Sequence, residues 1–90
     1  MTELPERIAA AAVAQGVLPG TVVIVRVTPG GDVVARGAAF AEPRALWSRA
    51  VALCDANAGE RPALAWVVPA GVDVFLDDPA TSSPTAVRRS

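Results

Sequence analysis

The chain lacks three residue types on which much enzyme chemistry depends: it has no histidine, no lysine and no tyrosine in 90 residues. These absences remove the commonest general base, the amine that forms Schiff bases, the lysine of phosphate-binding loops and the usual phenolic acid. We therefore expect a protein that is not an enzyme, with no catalytic residues, no cofactor and no metal site. An enzyme that uses only Asp, Glu, Arg and Ser is the catalytic alternative.

Cysteine is nearly absent too, because Cys54 is the only one, and an internal disulfide is therefore excluded. Asp55 follows it directly, and a neighbouring carboxylate raises the pKa of a thiol rather than lowering it. Cys54 also lies in an apolar helical pattern, where a free cysteine usually behaves as a small buried hydrophobic residue. The sequence predicts an unreactive thiol and is compatible with the cytoplasm.

Long apolar runs and a basic charge excess are missing as well. No segment approaches the roughly 20 apolar residues that span a bilayer. Glu3 and Glu6 precede Arg7, which is the wrong charge for a signal peptide. The formal net charge is −1, so the attraction that dominates nucleic-acid binding is absent. We expect a cytoplasmic protein that binds neither membrane nor nucleic acid.

What the chain has in quantity is apolar surface and arginine. Hydrophobic residues make up 52% of the sequence, a generous share for one short domain, and surplus apolar surface usually indicates a partner. All basic residues are arginine, and Ala, Val, Gly and Pro are abundant. This bias is typical of GC-rich coding DNA, which suggests a bacterial or phage origin.

The apolar pattern predicts four regions of secondary structure. A helix over 4–15 is followed by a hairpin over 21–40, a second helix over 42–59 and a second hairpin over 63–76. The order α-β-β-α-β-β predicts an α+β fold of two layers, in which two helices pack on a four-stranded antiparallel sheet.

Domain boundaries follow from the end of the apolar pattern. Residues 1–78 are predicted to form a single α+β domain. Residues 79–90 contain two prolines and no hydrophobic period, so they are predicted to be a disordered tail.

Turn chemistry suggests a register for each hairpin. In the first, the loop 28–32 places Val27 opposite Val33 and Ile24 opposite Arg36, so that Arg26 and Arg36 share one face. In the second, a three-residue loop over 69–71 places Val68 opposite Val72 and creates a strongly apolar face. That predicted core face consists of Leu64, Trp66, Val68, Val72, Val74 and Leu76.

Two helices side by side on one face would leave the other face of the sheet bare. That face is too apolar for water and too charged for an ordinary core. Three arrangements are open: the first helix crosses to cover it, two copies pack face to face, or a different protein binds there. If it is bare, Asp73 is expected to pair with Arg26 or Arg36, and the other arginine to meet a partner's carboxylate or water.

These observations favour a small non-catalytic protein-interaction module, an adaptor or accessory subunit that forms a homodimer through the apolar sheet face or binds another protein there. The alternative is a carrier that uses the same face as a pocket for a small molecule or a peptide. The predicted partner-binding residues are Ile24, Arg26, Val34, Arg36, Phe40, Trp47, Asp73 and Phe75.

Overall fold

The structure is a computed structural model that describes residues 2–56 and 58–88. It confirms an α+β fold with an antiparallel sheet, but the sheet has five strands instead of the predicted four, in the order β2-β1-β3-β4-β5. The elements of the described residues are α1 (Leu4–Val13), β1 (Val22–Val27), β2 (Val33–Ala39), α2 (Pro43–Asp55), β3 (Arg61–Val68), β4 (Gly71–Phe75) and β5 (Thr85–Arg88).

Both helices begin where the sequence places proline in the first turn, Pro5 in α1 and Pro43 in α2. Proline suits this position because the first backbone N–H groups of a helix have no intrahelical acceptor. α1 ends at Val13, two residues earlier than predicted, and Gly16 then takes a φ of 69° that favours glycine.

The two helices lie on opposite faces of the sheet, so the predicted two-layer arrangement is wrong. α1 packs through Ile8 and Ala12 on a face that includes Val25, and we call this the α1 face. α2 packs through Leu46 and Ala50 on the opposite face, the α2 face. The reason lies in β1, which is buried along its whole length and supplies apolar side chains to both cores.

The second hairpin differs from its predicted register by one residue. Val67 pairs with Val72 and Val68 pairs with Gly71, because the turn contains two residues, not three. A one-residue shift moves every side chain of a strand to the other face. Val72 and Val74 therefore belong to the α1 core, whereas Phe75 lies in the α2 core.

The first hairpin keeps its predicted register only near the turn. Val27 pairs with Val33 as predicted, but a β-bulge between Ile24 and Val25 places Gly37 opposite Ile24. Arg36 is the extra residue of the bulge, so the predicted pairing of Ile24 with Arg36 is wrong.

The C-terminal segment is not a disordered tail over its described length. β5 pairs antiparallel with β4, with Val87 opposite Val72 and Thr85 opposite Val74. The Asp78 carboxylate accepts a hydrogen bond from the N–H of Ala80, which fixes the turn that leads there. Four strand residues are too few to show a hydrophobic period, so composition alone suggested disorder. Residues 89 and 90 lie outside the described residues.

Candidate functional site

The predicted partner-binding residues do not form one surface. Ile24 and Phe75 are buried beneath α2, and Trp47 is half-buried at the edge of the same core. Val34 is half-buried on β2, whereas Phe40 is 81% exposed just after it. The sheet face that was expected to be bare is covered by α2 across β1 and β3.

The ion pairs also differ from the expectation. Arg26 is only 6% exposed and pairs with Glu60, which immediately precedes β3. Asp73 pairs at 3.2 Å with Arg88 from β5, so it neutralises neither Arg26 nor Arg36. Sequence reasoning missed Glu60 because it did not pair β1 with β3, and that pairing brings the start of β3 beside Arg26.

Arg26 and Arg36 nonetheless line the same cleft. It has a volume of about 390 Å³ and is also lined by Leu53 and Ala56 at the end of α2. One nitrogen of Arg26, Nη1, donates to Glu60, while its Nε is enclosed and has no hydrogen-bond partner among the residues that the structure describes. Within residues 2–56 and 58–88 no carboxylate pairs with Arg36. The cleft is therefore lined by two arginines, and the guanidinium of one of them, Arg26, is paired with the carboxylate of Glu60.

A second feature is the outer edge of the sheet at β5. β4 lies on one side of β5, and no strand of the described residues pairs with its other side. A methyl group on Gly71 would overlap the carbonyl oxygen of Val87, so that carbonyl faces β4. Backbone groups alternate in direction along a strand, and those of Ala86 and Arg88 therefore face outward.

A groove of about 490 Å³ runs beside this edge, between β5 and α1. Its lining is mostly small and apolar, and it includes Val13, which is 43% exposed. Towards the start of α1 the groove continues into a more polar region beside Glu3 and Glu6. The groove residues contributed by α1 and by the residue that follows it are Glu6, Ala9, Ala10, Val13 and Ala14.

Exposed aromatic surface forms a third feature, next to the start of α2. The ring of Phe40 rests on Gly20, where an added methyl group would overlap it. Together with Trp66 these residues border a shallow cleft of about 320 Å³. The indole Nε1 of Trp66 is enclosed, and no described residue forms a hydrogen bond with it. Leu18 is 75% exposed. Like Phe40, it is a large apolar side chain in contact with water.

Cys54 is buried, as the sequence predicts. Burial raises the pKa of its thiol, and Glu60 and Asp55 add to this effect while Arg26 opposes it. A raised pKa lowers the fraction of reactive thiolate at neutral pH.

We expect Cys54 in the native protein to react with Ellman's reagent at pH 8 at least about tenfold more slowly than in the guanidinium-unfolded chain, because burial restricts both access and ionisation. The reaction is followed at 412 nm with and without denaturant. A native rate equal to the unfolded rate would show that the thiol is accessible.

A scan against models of protein families, a search of curated proteins and a search of solved structures each found no match to this chain. Neither helix of the described residues has the length and apolar character needed to cross a bilayer. No group of three acidic or cysteine side chains in the described parts of the chain is placed to hold a metal ion.

Proposed function

We propose that this chain is a small non-catalytic interaction module, an adaptor or accessory subunit, that associates with a second copy of itself. The observation that carries the proposal is the outer edge of β5, where no strand of the described residues pairs with the outward backbone groups and an apolar groove lies alongside. In this dimer, β5 of one copy pairs antiparallel with β5 of the other. Two five-stranded sheets then form one continuous sheet.

The two edges of the sheet differ in how well they resist such pairing. The opposite edge strand, β2, is bulged and presents the exposed side chain of Arg36 next to Gly37. A bulge is a device by which natural sheets avoid edge-to-edge association, whereas an exposed arginine is present on both edges, Arg36 on β2 and Arg88 on β5. β5 has the sequence Thr85–Arg88, its pairing with β4 is regular, and it contains no proline. It is therefore the edge better suited to a partner strand.

The geometry of β5 defines one register for a twofold dimer. Since the backbone groups of Ala86 and Arg88 face outward, Ala86 of each copy pairs with Arg88 of the second copy. Val87 then lies directly opposite Val87 of the second copy, on the α1 face. Half-buried Val87 gains burial there, and the exposed small side chains of the two α1 helices approach each other over the joined sheet.

Surplus apolar surface supports an interaction role independently of the edge. Exposed Val13 borders the groove, and Leu18 and Phe40 are more than two-thirds exposed elsewhere. Such surface is unfavourable in an isolated domain of this size and is typical of proteins that bind others. In this proposal the patch near Phe40 stays available for a second protein after β5 has paired.

The dimer is tested by sedimentation equilibrium from low to high micromolar concentration. We expect a species of about twice the 9.2 kDa of one chain. Ala86→Pro removes one outward N–H without removing a donor to β4, so we expect it to yield monomer. Ala86→Thr is the matched control, because it changes the same exposed side chain but keeps the N–H, and we expect it to remain dimeric.

Two results would contradict the proposal. A wild-type mass of one chain at every concentration would exclude self-association. A dimer that Ala86→Pro leaves intact, with native circular dichroism, would place the interface elsewhere on the molecule. Either result leaves binding of another protein at the β5 edge as a separate hypothesis.

A further inference from the structure

We infer that the cleft between Arg26 and Arg36 is a binding site for a small organic carboxylate. This inference is independent of the dimer proposed above, because the cleft lies on the α2 side of the β1–β2 hairpin and not at β5. Its volume of about 390 Å³ is within the range of small-molecule sites.

The first argument is the state of Arg26. Its side chain is 7% exposed, and its only ion pair in the described residues uses Nη1, leaving the enclosed Nε without an acceptor. An enclosed donor on a charged group that lacks an acceptor is costly, and native structures usually satisfy such groups. Arg26 also lines the cleft, so a carboxylate that enters it would meet a guanidinium group whose hydrogen bonds to the described residues are incomplete.

The second argument is the β-bulge. Without the extra residue, strand β2 would continue a regular ladder opposite β1, but the bulge leaves Arg36 unpaired in that ladder and lining the cleft with Arg26. Bulges commonly re-aim side chains at functional sites. Arg36 has no carboxylate partner among the described residues, so its guanidinium is available to a ligand.

The charge and the walls of the cleft indicate the class of ligand. Glu60 neutralises one of the two guanidinium groups, which leaves one net positive charge for a singly charged anion. Guanidinium groups bind planar carboxylates by paired hydrogen bonds. The remaining walls, Leu53 and Ala56, are apolar and suit an alkyl chain more than a second charged group. A short-chain monocarboxylate fits this combination.

The test is a titration of the ¹⁵N-labelled protein with sodium butyrate at constant ionic strength, followed by amide chemical shifts. We expect saturable shifts confined to the amides around Arg36 and Ala56. Butyramide, which has the same shape without the charge, is expected not to bind. Inorganic phosphate, which lacks the alkyl chain, is expected to bind more weakly than butyrate.

Two variants with the same loss of charge distinguish a site from general attraction. Arg36→Gln is expected to weaken butyrate binding at least about tenfold, because it removes one of the two guanidinium groups. Arg49→Gln removes an exposed arginine of α2 that does not line the cleft, and we expect the affinity to be unchanged. Arg36→Lys keeps the charge but loses the planar fork, so an intermediate affinity is expected.

Several outcomes would overturn the inference. Shifts that rise linearly without saturation, or an equal loss in Arg36→Gln and Arg49→Gln, would show general charge attraction only. Equal binding of butyramide would show that the cleft recognises apolar surface. Tighter binding of phosphate would exclude an organic carboxylate as the preferred class. Native circular dichroism of each variant shows that the loss is not a loss of fold.

Discussion

Replacing Arg26 with methionine is expected to lower the free energy of unfolding by about 3–5 kcal/mol, the usual effect of removing one partner of a buried ion pair. Arg26 and Glu60 are only 7% and 12% exposed at their side chains, so water replaces the lost partner of Glu60 only in part. Methionine keeps most of the apolar stem, and the loss therefore measures the charge and not a cavity. Urea unfolding at pH 7 gives the value.

The double variant Arg26→Met/Glu60→Gln distinguishes a broken pair from general damage at this position. Once both charges are absent, no unpaired ion remains in the partly buried site. We expect the double variant to recover most of the stability lost by Arg26→Met alone, since paired removal of buried charges is often nearly neutral. If the stability losses of Arg26→Met and Glu60→Gln add up to the loss of the double variant, the pair is effectively solvated. A loss below about 1 kcal/mol for Arg26→Met alone would show the same.

Arg26 also shows how far the sequence could lead. The predicted register placed Arg26 and Arg36 on one face; that register is wrong at Arg36, but the β-bulge also leaves Arg36 lining one cleft with Arg26. Pairing of β1 with β3 involves residues more than 30 positions apart, and no local pattern reports it. Since that pairing brings Glu60 to Arg26, local patterns do not identify Glu60 as the neutralising partner. Asp73, the partner that the sequence predicts, pairs instead with Arg88 of β5.

The faces of the sheet were harder to predict than its strands. Each helix and hairpin was recognisable from apolar spacing, from Pro43 at the start of α2 and from the Pro-Gly-Gly turn after β1. Which face a helix covers depends on long-range packing. Both faces of β1 are apolar. This pattern is compatible with one helix on each side of the sheet, and equally with one uncovered apolar face that binds a partner.

One residue decided the core assignment in the second hairpin. Turn chemistry allows two loops here. One has three residues and includes Gly71, and the other has two residues and ends before Gly71. The structure has the shorter turn, and Gly71 is the first residue of β4 with a φ of 153°. The shorter turn shifts the register by one residue, so Val72 and Val74 lie in the α1 core. It also placed Gly71 against β5, a strand that composition alone did not predict.

Gly71→Ala is therefore expected to destabilise the protein by at least about 2 kcal/mol, through a φ that alanine rarely adopts and through overlap with β5. The added methyl group would meet the backbone of Val87 and Arg88, which cannot move aside as a flexible side chain could. β5 must shift or detach, and its ladder with β4 is lost. Urea unfolding measures the loss, and amide hydrogen exchange at Val72 and Val74 shows whether the ladder has opened.

Gly16→Ala is the matched control, because Gly16 also has a positive φ, 69°, but an added methyl group there would meet nothing within 4 Å. We expect Gly16→Ala to lower the free energy of unfolding by about 1 kcal/mol, the cost of holding alanine in the left-handed conformation. The truncation that removes residues 79–90 provides the decisive comparison. In that shortened chain the backbone of Val87 and Arg88 is absent, so Gly71→Ala should cost clearly less than in the full chain, because only the strain of alanine at a φ of 153° is left. If Gly71→Ala costs the same in the full and shortened chains, β5 does not pack against Gly71, and the C-terminal segment is the unattached tail that its composition suggested.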